Sequence, residues 1–152
     1  MTIIATDGKS MAADGFGICN DIIVSESDKK LFRHNESIFG CCGNSDDHEL
    51  FKRWLEEGAS RENLPKLDEH FGAVELAKDG IWLWFNSGIR TPTPAPYAMG
   101  SGQVVGLTAL KMGKSPREAV EMACALCVNC GGDILEMSLE ERPSLVFNKI
   151  SA

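Results

Sequence analysis

The second residue of the chain is a threonine that directly follows Met1. A small side chain at this position generally permits removal of an initiator methionine, which would give Thr2 a free α-amine beside its own hydroxyl. Because the pKa of an α-amine is about 7.7–8.0, an appreciable fraction is neutral at physiological pH and can accept the hydroxyl proton. Thr2 is therefore a candidate nucleophile that carries its own general base.

Two charged residues, one acidic and one basic, lie next to predicted strands. Asp14 lies in MAADG and Lys30 in DKKLF. Taken singly, each is typical of a turn residue or of a charge that protects a sheet edge.

These residues must be positioned by short strands and by a few helices. The turn at residues 7–9 predicts an opening hairpin, and apolar residues at helical spacing after Ser45 predict a helix that ends at Gly58. Pattern and turn chemistry predict two further hairpins at 30–43 and 71–88, a strand at 97–100, helices at 101–112 and 115–127, and a last strand at 133–139. Residues 15–28 are expected to form a loop or irregular strand, and the proline-rich segment 91–96 an extended connector.

The predicted order of elements favours antiparallel sheets whose outer faces are covered by helices. A chain of 152 residues is long enough for one full core, so a single α+β domain over residues 1–152 is expected, with the layers of a sandwich.

Composition and charge narrow the class of partner. The net charge is −7, and Lys and Arg are scattered, so the sequence offers no stripe to neutralise a nucleic-acid backbone. No apolar run approaches the length of about 20 residues that crosses a bilayer, and the first residues lack the pattern of a signal peptide. The expected location is the cytoplasm, without a nucleic-acid or membrane partner.

Four sequence segments, taken in order, resemble one known family. They are TIIATDGKSMAADG, then KKLF, then GCCGNSDD before a helix, then MGSG before another helix. Together they resemble the proteasome β-type subunits and the bacterial proteasome-like peptidases, and most of all the short proteasome-like proteins of bacteria and their phages. The resemblance spans nearly the whole chain and implies the fold of the N-terminal nucleophile hydrolases, a four-layer αββα sandwich of antiparallel sheets.

The resemblance implies a role for each of five catalytic residues. Thr2 matches the nucleophile, Asp14 the residue that orients a lysine, and Lys30 that lysine. Beside Thr2, such a lysine would stabilise an alkoxide and help to keep the amine neutral, and the aspartate would hold that lysine charged and oriented. Gly43 matches the glycine whose backbone N–H binds the oxyanion, and Ser101 the serine that hydrogen-bonds near the amine and relays protons. Read without the family, the glycine is simply a strand end and the serine a helix cap.

The chain departs from the family pattern in two places. Asn44 replaces the second glycine of a Gly-Gly pair, which is a mild change because Asn tolerates left-handed backbone. Cys127 and Cys130 stand where eukaryotic-type members have an aspartate and a serine, and thiols are poor substitutes for a carboxylate that tunes the amine.

The family's substrate pocket maps to four mostly small residues: Gly17, Cys41, Ser45 and Glu49. Their size favours small or apolar substrate side chains. The resemblance implies a peptide or protein substrate, no cofactor, and a homo-oligomeric ring or other closed assembly, and it leaves open whether an ATPase partner exists.

Two other functions compete with that of a peptidase. A proteasome-fold protein that retains Met1 would be a non-catalytic structural or assembly subunit. Alternatively, the series Cys124-x-x-Cys127-x-x-Cys130, with Cys41 and Cys42, has ligand types suited to zinc or an iron–sulfur cluster. Because the first two of these cysteines lie on a predicted apolar helix face, buried free thiols are the simpler interpretation and no metal is expected.

Overall fold

The computed structural model describes residues 2–140, so Met1 and the predicted polar tail after residue 140 lie outside the described part. The strands are β1 (Ile3–Thr6), β2 (Ser10–Ala13), β3 (Gly17–Cys19), β4 (Ile22–Ser25), β5 (Leu31–His34), β6 (Ser37–Cys42), β7 (Gly72–Ala77), β8 (Gly80–Phe85), β9 (Arg90–Thr93), β10 (Tyr97–Gly100) and β11 (Leu135–Ser138). The helices are α1 (Ser45–Glu56), α2 (Gln103–Lys111) and α3 (Pro116–Leu126), with a short 3₁₀ turn at Arg61–Asn63.

All strand pairs are antiparallel, and the strands form two main sheets. The first sheet has the order β10-β1-β2-β11, and the second has the order β5-β6-β7-β8-β9. A separate two-stranded hairpin joins β3 and β4. The chain is therefore α+β with antiparallel sheets, as expected from the sequence. Because β1 lies inside the first sheet, the residue just before it, Thr2, is held by neighbours on both sides.

Three apolar clusters hold these elements together. One packs Ile3 and Ala12 of the first sheet against residues of α2 and α3. A second lies between the sheets, where Ile4 contacts residues such as Val74. The third packs the other face of the second sheet, through residues such as Phe39, against α1. Since successive side chains of a strand point to opposite faces, β1 is buried on both of its faces.

The structure differs from the sequence expectation at residues 15–28. Part of this segment forms the β3–β4 hairpin, whose turn residues Asn20 and Asp21 both have positive φ, at 50° and 63°. Two consecutive positive φ values are the mark of the tight turns that join two strands of a hairpin, and Asn and Asp tolerate them. The turn has no glycine, which is why its sequence did not predict a hairpin.

The proline-rich segment also differs in part. Residues 90–93 form β9, which pairs with β8 at the edge of the second sheet, with Pro92 opposite Trp82. Proline has no N–H to donate, and an edge strand needs a partner on one side only. The expectation that this segment is not a central strand is consistent with this edge position.

Helix starts follow local capping chemistry. Asn44 caps α1 by accepting a hydrogen bond from Asp46 N at 2.9 Å, and Ser115 and Glu118 form a reciprocal capping box on α3. Ser101, in contrast, does not cap α2, whose N-cap is Gly102. Among residues 2–140, no helix is long and apolar enough to cross a bilayer.

Candidate active site

Thr2 lies at the floor of a cleft, just before the start of β1. It is 2% exposed, and it lines the cleft, which has a volume of about 900 Å³. Its backbone is fixed from the α2 side: Thr2 N donates to Ser101 Oγ at 3.2 Å, and Gly102 N donates to Thr2 O at 3.2 Å. Ser101 thus directs its hydroxyl to the backbone nitrogen of Thr2 instead of to a helix terminus.

Gly100 makes the close approach of Thr2 possible. Its φ is +109°, and a Cβ there would lie 2.1 Å from the backbone oxygen of Thr2. Only glycine combines this backbone conformation with the space that the neighbouring strand requires. The MGSG segment therefore has two functions, since its first glycine admits Thr2 and its serine hydrogen-bonds to it.

Asp14 and Lys30 form a buried ion pair next to this residue. Lys30 Nζ lies 2.8 Å from Asp14 Oδ1, and their side chains are 4% and 0% exposed. The same carboxylate oxygen accepts a hydrogen bond from Ile3 N at 3.1 Å, and Oδ2 accepts one from Gly131 N at 3.0 Å. These partners satisfy the hydrogen-bonding capacity of the buried carboxylate. Asp14 therefore links Lys30 to Ile3, the residue that follows Thr2.

Lys30 reaches the cleft from the second sheet. It directly precedes β5, and its carbonyl accepts a hydrogen bond from Cys41 N at 3.0 Å, which extends the pairing of β5 with β6 by one residue. Asp14 follows β2 in the first sheet. The ion pair therefore spans the two sheets, and Lys30 lines the same cleft as Thr2.

Gly43 lines the cleft between β6 and α1. Its φ is +106°, and a Cβ would meet His70 O at 3.1 Å and Phe71 Cα at 3.2 Å. The positive φ falls on this glycine and not on Asn44, whose backbone is extended (φ −72°, ψ 135°). Asn44 thus serves as a helix cap, and the left-handed tolerance expected of it is not used.

Three of the four residues assigned to the substrate pocket line the cleft: Gly17, Ser45 and Glu49. Gly17 is in close contact with the loop before Lys30, because a Cβ there would lie 2.3 Å from Asp28 Oδ2. Gly17 has no side chain and Ser45 a small one, but the carboxylate of Asp28 occupies the space beside Gly17.

Cys41 is not among the residues that line the cleft, which corrects the expectation from the sequence. It is 1% exposed and packs with Phe39 in the cluster below α1, whereas Cys42 packs on the cluster between the sheets. The alternation of side chains along β6 places Cys41 on the face toward α1. Burial raises the pKa of this thiol well above its usual value, so it stays protonated.

The sequence analysis did not identify His48 as a site residue. It lies in the first turns of α1 and lines the cleft, and its Nε2 is buried without a hydrogen-bond partner among residues 2–140. Burial and, next, the charge of Lys30 lower the pKa of His48, while the carbonyl of Cys42 and the carboxylates of Asp47 and Asp28 act in the opposite direction. The imidazole of His48 is therefore expected to be neutral at physiological pH.

His48 carries no motif in the sequence, and a lone histidine on an amphipathic helix is most often an ordinary surface or core residue. The β3–β4 hairpin was missed as a wall of the cleft for a similar reason. It contributes Ile18, Cys19 and Val24, and its short strands lack a regular alternation.

The two cysteines at family-variant positions lie behind Thr2. Cys130 is 3% exposed, and its Sγ lies 3.9 Å from Ser101 Oγ. Burial, followed by the charge of Asp14, raises the pKa of this thiol to about 11. Cys127 is half-buried. In the part of the chain that the structure describes, no three His, Cys, Asp or Glu side chains are grouped to hold a metal ion.

The fold described above is proteasome-like, which confirms the resemblance seen in the sequence at the level of the fold. Comparison with solved structures finds eukaryotic HslV from Trypanosoma brucei at 16% sequence identity and a TM-score of 0.65, covering 90% of this chain and 98% of that one.

A second protein gives the same result. BPH of Thiobacillus denitrificans, in complex with epoxomicin, matches at 16% identity and a TM-score of 0.69, and covers 93% of this chain and 100% of that one. Another structure of the same BPH matches with a TM-score of 0.63. No family model matches the sequence, and no curated protein matches it either. At this identity the likeness defines the fold and leaves the activity to be argued from the site.

Proposed function

We propose that the protein is a threonine-type peptidase or amidohydrolase whose nucleophile is Thr2 after removal of Met1. One observation carries this proposal: Thr2, Lys30 and Gly43 line a single cleft, while Ser101 contacts Thr2 N and Asp14 pairs with Lys30. Nucleophile, cation and oxyanion donor come from different elements of the chain. Their convergence is difficult to explain by packing needs alone.

In the proposed reaction, the α-amine of Thr2 accepts the proton of the hydroxyl as the oxygen attacks the substrate carbonyl. The tetrahedral intermediate then collapses, the amine proton passes to the leaving nitrogen, and an ester forms on Thr2. Water, deprotonated by the same amine, releases the acid and restores the hydroxyl. The hydroxyl of Ser101 binds the amine and can relay the proton between the amine and the hydroxyl of Thr2.

Lys30 supports the first step through its charge. A buried ammonium near the hydroxyl favours the developing alkoxide and disfavours protonation of the amine. Asp14 is a positioning residue in this scheme. Because its carboxylate also binds Ile3 N, it fixes the distance between the lysine and the start of β1.

Gly43 is the proposed oxyanion donor. Its backbone lies at the cleft directly before α1, where the N-terminal end of the helix dipole also favours negative charge. Substrate side chains would occupy the part of the cleft lined by Gly17, Ser45 and Glu49, and its small residues favour small or apolar groups. Cys41 has no part in this proposed pocket.

We also propose how the helices and sheets of the whole chain are layered. The three apolar clusters support a four-layer αββα sandwich, with α2 and α3 outside the first sheet and α1 outside the second. We propose one such domain over residues 1–152, of cytoplasmic location, self-assembled into a ring or another closed oligomer as the family resemblance implies.

A non-catalytic assembly subunit is the alternative function, and a specific observation favours it. Cys127 and Cys130 occupy positions at which eukaryotic-type relatives have an aspartate and a serine, and Cys130 contributes a thiol, with a raised pKa, to the contact with Ser101. A chain that retains Met1 would have no free amine on Thr2 at all.

Hydrolysis of a panel of fluorogenic peptides by the processed protein distinguishes the two functions. We expect turnover of peptides with small or apolar groups before the scissile bond, and its loss in Thr2→Ala with the fold unchanged by circular dichroism. Equal turnover by Thr2→Ala would identify a contaminating peptidase, and no turnover by protein shown to lack Met1 would favour the assembly subunit.

A further inference from the structure

Three cysteines lie together at the end of α3, and the proposed reaction uses none of them. Cys130 is part of the apolar cluster between the helices and the first sheet, and Cys124 and Cys127 pack against the same cluster. All three are free thiols in the structure. The group therefore sits directly behind the sheet that carries Thr2.

Two of these cysteines are the ends of a tight turn. Cys130 N donates a hydrogen bond to Cys127 O at 3.2 Å. This is the closing bond of a four-residue turn, in which the first and last Cα atoms lie within about 7 Å of each other. Disulfides span Cα distances of about 4.4–6.8 Å. The backbone at residues 127–130 thus matches the span of a disulfide.

The turn is open to solvent at its tip. Val128 is 89% exposed, Cys127 is half-buried and Cys130 is almost fully buried. A dissolved disulfide can therefore approach Cys127 first, whereas Cys130 is shielded. This asymmetry is what a dithiol needs if one thiol is to be attacked from outside and the other is to complete the reaction internally.

The buried thiol is connected to the amine of Thr2 through one side chain. Cys130 Sγ lies 3.9 Å from Ser101 Oγ, and Ser101 Oγ accepts the hydrogen bond from Thr2 N at 3.2 Å. The thiol also fills the space above Gly102, because a Cβ at that glycine would lie 3.1 Å from Sγ. Movement of Sγ would therefore affect Ser101 and Gly102, the two residues that hydrogen-bond to the nitrogen and to the carbonyl oxygen of Thr2.

We propose that Cys127 and Cys130 form a reversible disulfide, and that this modification draws Cys130 away from Ser101 and weakens the placement of the Thr2 amine. The disulfide itself is independent of the proposed function, whereas its effect on Thr2 rests on that function. Oxidation would lower the reactivity of Thr2, and reduction would restore it.

A low-molecular-weight disulfide such as oxidised glutathione is the proposed oxidant. The thiolate of Cys127 attacks one of its sulfurs, which forms a mixed disulfide and releases one glutathione thiolate. The thiol of Cys130 then loses its proton to solvent and attacks Cys127 Sγ, and the second glutathione thiolate leaves. The two cysteines have lost two electrons and two protons, and one oxidised glutathione has become two reduced ones.

The chemistry of the surroundings fits this order of events. The pKa of Cys130 is raised to about 11 by burial and, next, by the charge of Asp14. This thiol is inert until Cys127 Sγ, held three residues away by the turn, becomes electrophilic. Cys124 has a pKa raised to about 11 for the same two reasons and lies one helical turn before Cys127, so it provides the matched control.

The test is a non-reducing peptide map of the purified full chain after incubation with oxidised glutathione. We expect a Cys127–Cys130 bond in the wild type and in Cys124→Ser, and none in Cys127→Ser or Cys130→Ser. A stable mixed disulfide, a bond to Cys124, or no oxidation of the native protein would each overturn the proposal. This readout does not require activity.

The link to Thr2 is tested on the same samples by the rate at which epoxomicin labels the processed protein. Loss of one hydrogen bond near the amine predicts a rate about fivefold lower in the oxidised wild type, restored by dithiothreitol, and an unchanged rate in oxidised Cys127→Ser. An equal rate in the two redox states of the wild type would overturn the link. Absence of labelling in both states would instead contradict the proposed function and leave the mapped disulfide standing.

Discussion

Lys30 and Asp14 form an ion pair whose two side chains are almost fully buried, and Lys30 lines the same cleft as Thr2. Buried ion pairs are costly to break, because the remaining charge is left without compensation. In this pair the carboxylate keeps two backbone donors when the lysine is removed, so part of its charge stays compensated. Catalytic and structural roles of the pair can therefore be separated.

Replacing Lys30 with Met should abolish most of the reactivity of Thr2 and should lower the free energy of unfolding by about 3 kcal/mol, since it leaves Asp14 buried and charged. Urea denaturation measures the second effect. Asp14→Asn in the same background should recover part of the stability but none of the reactivity. Recovery of both would mean that the lysine acts only through the fold.

His48 should make stability depend on pH. Its pKa is lowered in the folded protein, chiefly by burial, so the unfolded chain binds the proton more readily. Stability is thus expected to fall as pH decreases below about 6.5, the ordinary pKa of histidine, until the lowered pKa is passed.

Denaturation midpoints between pH 7.5 and 5 test this prediction. His48→Gln should flatten the dependence, whereas the exposed His70→Gln should leave it as in the wild type. If the two variants behave alike, His48 is not the group that titrates.

At the scale of elements, Gly100, the last residue of β10, positions Thr2 as much as β1 does. Gly100 and Gly113 both have positive φ, but a Cβ at Gly100 would lie 2.1 Å from Thr2 O, whereas a Cβ at Gly113 would meet no heavy atom within 4 Å. The backbone strain of an alanine is similar at the two sites, and only one of the substitutions displaces the nucleophile.

Gly100→Ala should therefore reduce labelling of Thr2 by more than about tenfold, because a displacement on the order of 1 Å misplaces the reacting atoms. Gly113→Ala should cost about 1 kcal/mol of stability and leave labelling unchanged. The labelling rates of the two variants are compared at a temperature where both are folded. Equal losses would show that strain, not the position of Thr2, is responsible.

Much of the architecture follows from local sequence signals. Turn residues and alternating apolar residues predicted the hairpins of the first and second sheets, and Ser115-Pro116 predicted the start of α3. The β3–β4 hairpin was not predicted, because an Asn-Asp turn between short exposed strands carries a weak signal. Local patterns also could not tell that Ser101 turns toward Thr2, since the choice depends on a strand about a hundred residues away in sequence.

The candidate site was predicted unevenly for a related reason. Thr2, Asp14, Lys30, Gly43 and Ser101 lie in short segments that resemble a family, and the structure brings them to one region. Cys41 was wrongly assigned to the pocket because the face of β6 on which it lies depends on strand register. His48 was overlooked because its position relative to Lys30 is fixed only by tertiary packing.

At the scale of the whole molecule, the β3–β4 hairpin exposes several neighbouring apolar side chains to solvent. Ile22, Ile23 and Val24 are 64%, 49% and 65% exposed, side by side on one short strand. Contiguous exposed apolar residues commonly mark contacts with other chains or with ligands. One of the three, Val24, also lines the Thr2 cleft.

We expect the full chain to form a discrete closed oligomer. Native mass spectrometry at micromolar concentration should give one main species whose mass is a fixed multiple of the chain, and sedimentation velocity should agree. A monomer by both methods would contradict the assembly part of the proposed function without affecting the fold.

The central claim is that the bond between Met1 and Thr2 is cut and that Thr2 then reacts as an N-terminal nucleophile. Intact-mass measurement of the protein from its native host, before and after incubation with epoxomicin, tests both halves at once. We expect a chain that lacks Met1 and gains the mass of one epoxomicin molecule, with no adduct on Thr2→Ala. A chain that retains Met1, or a processed chain that gains no adduct, would contradict it.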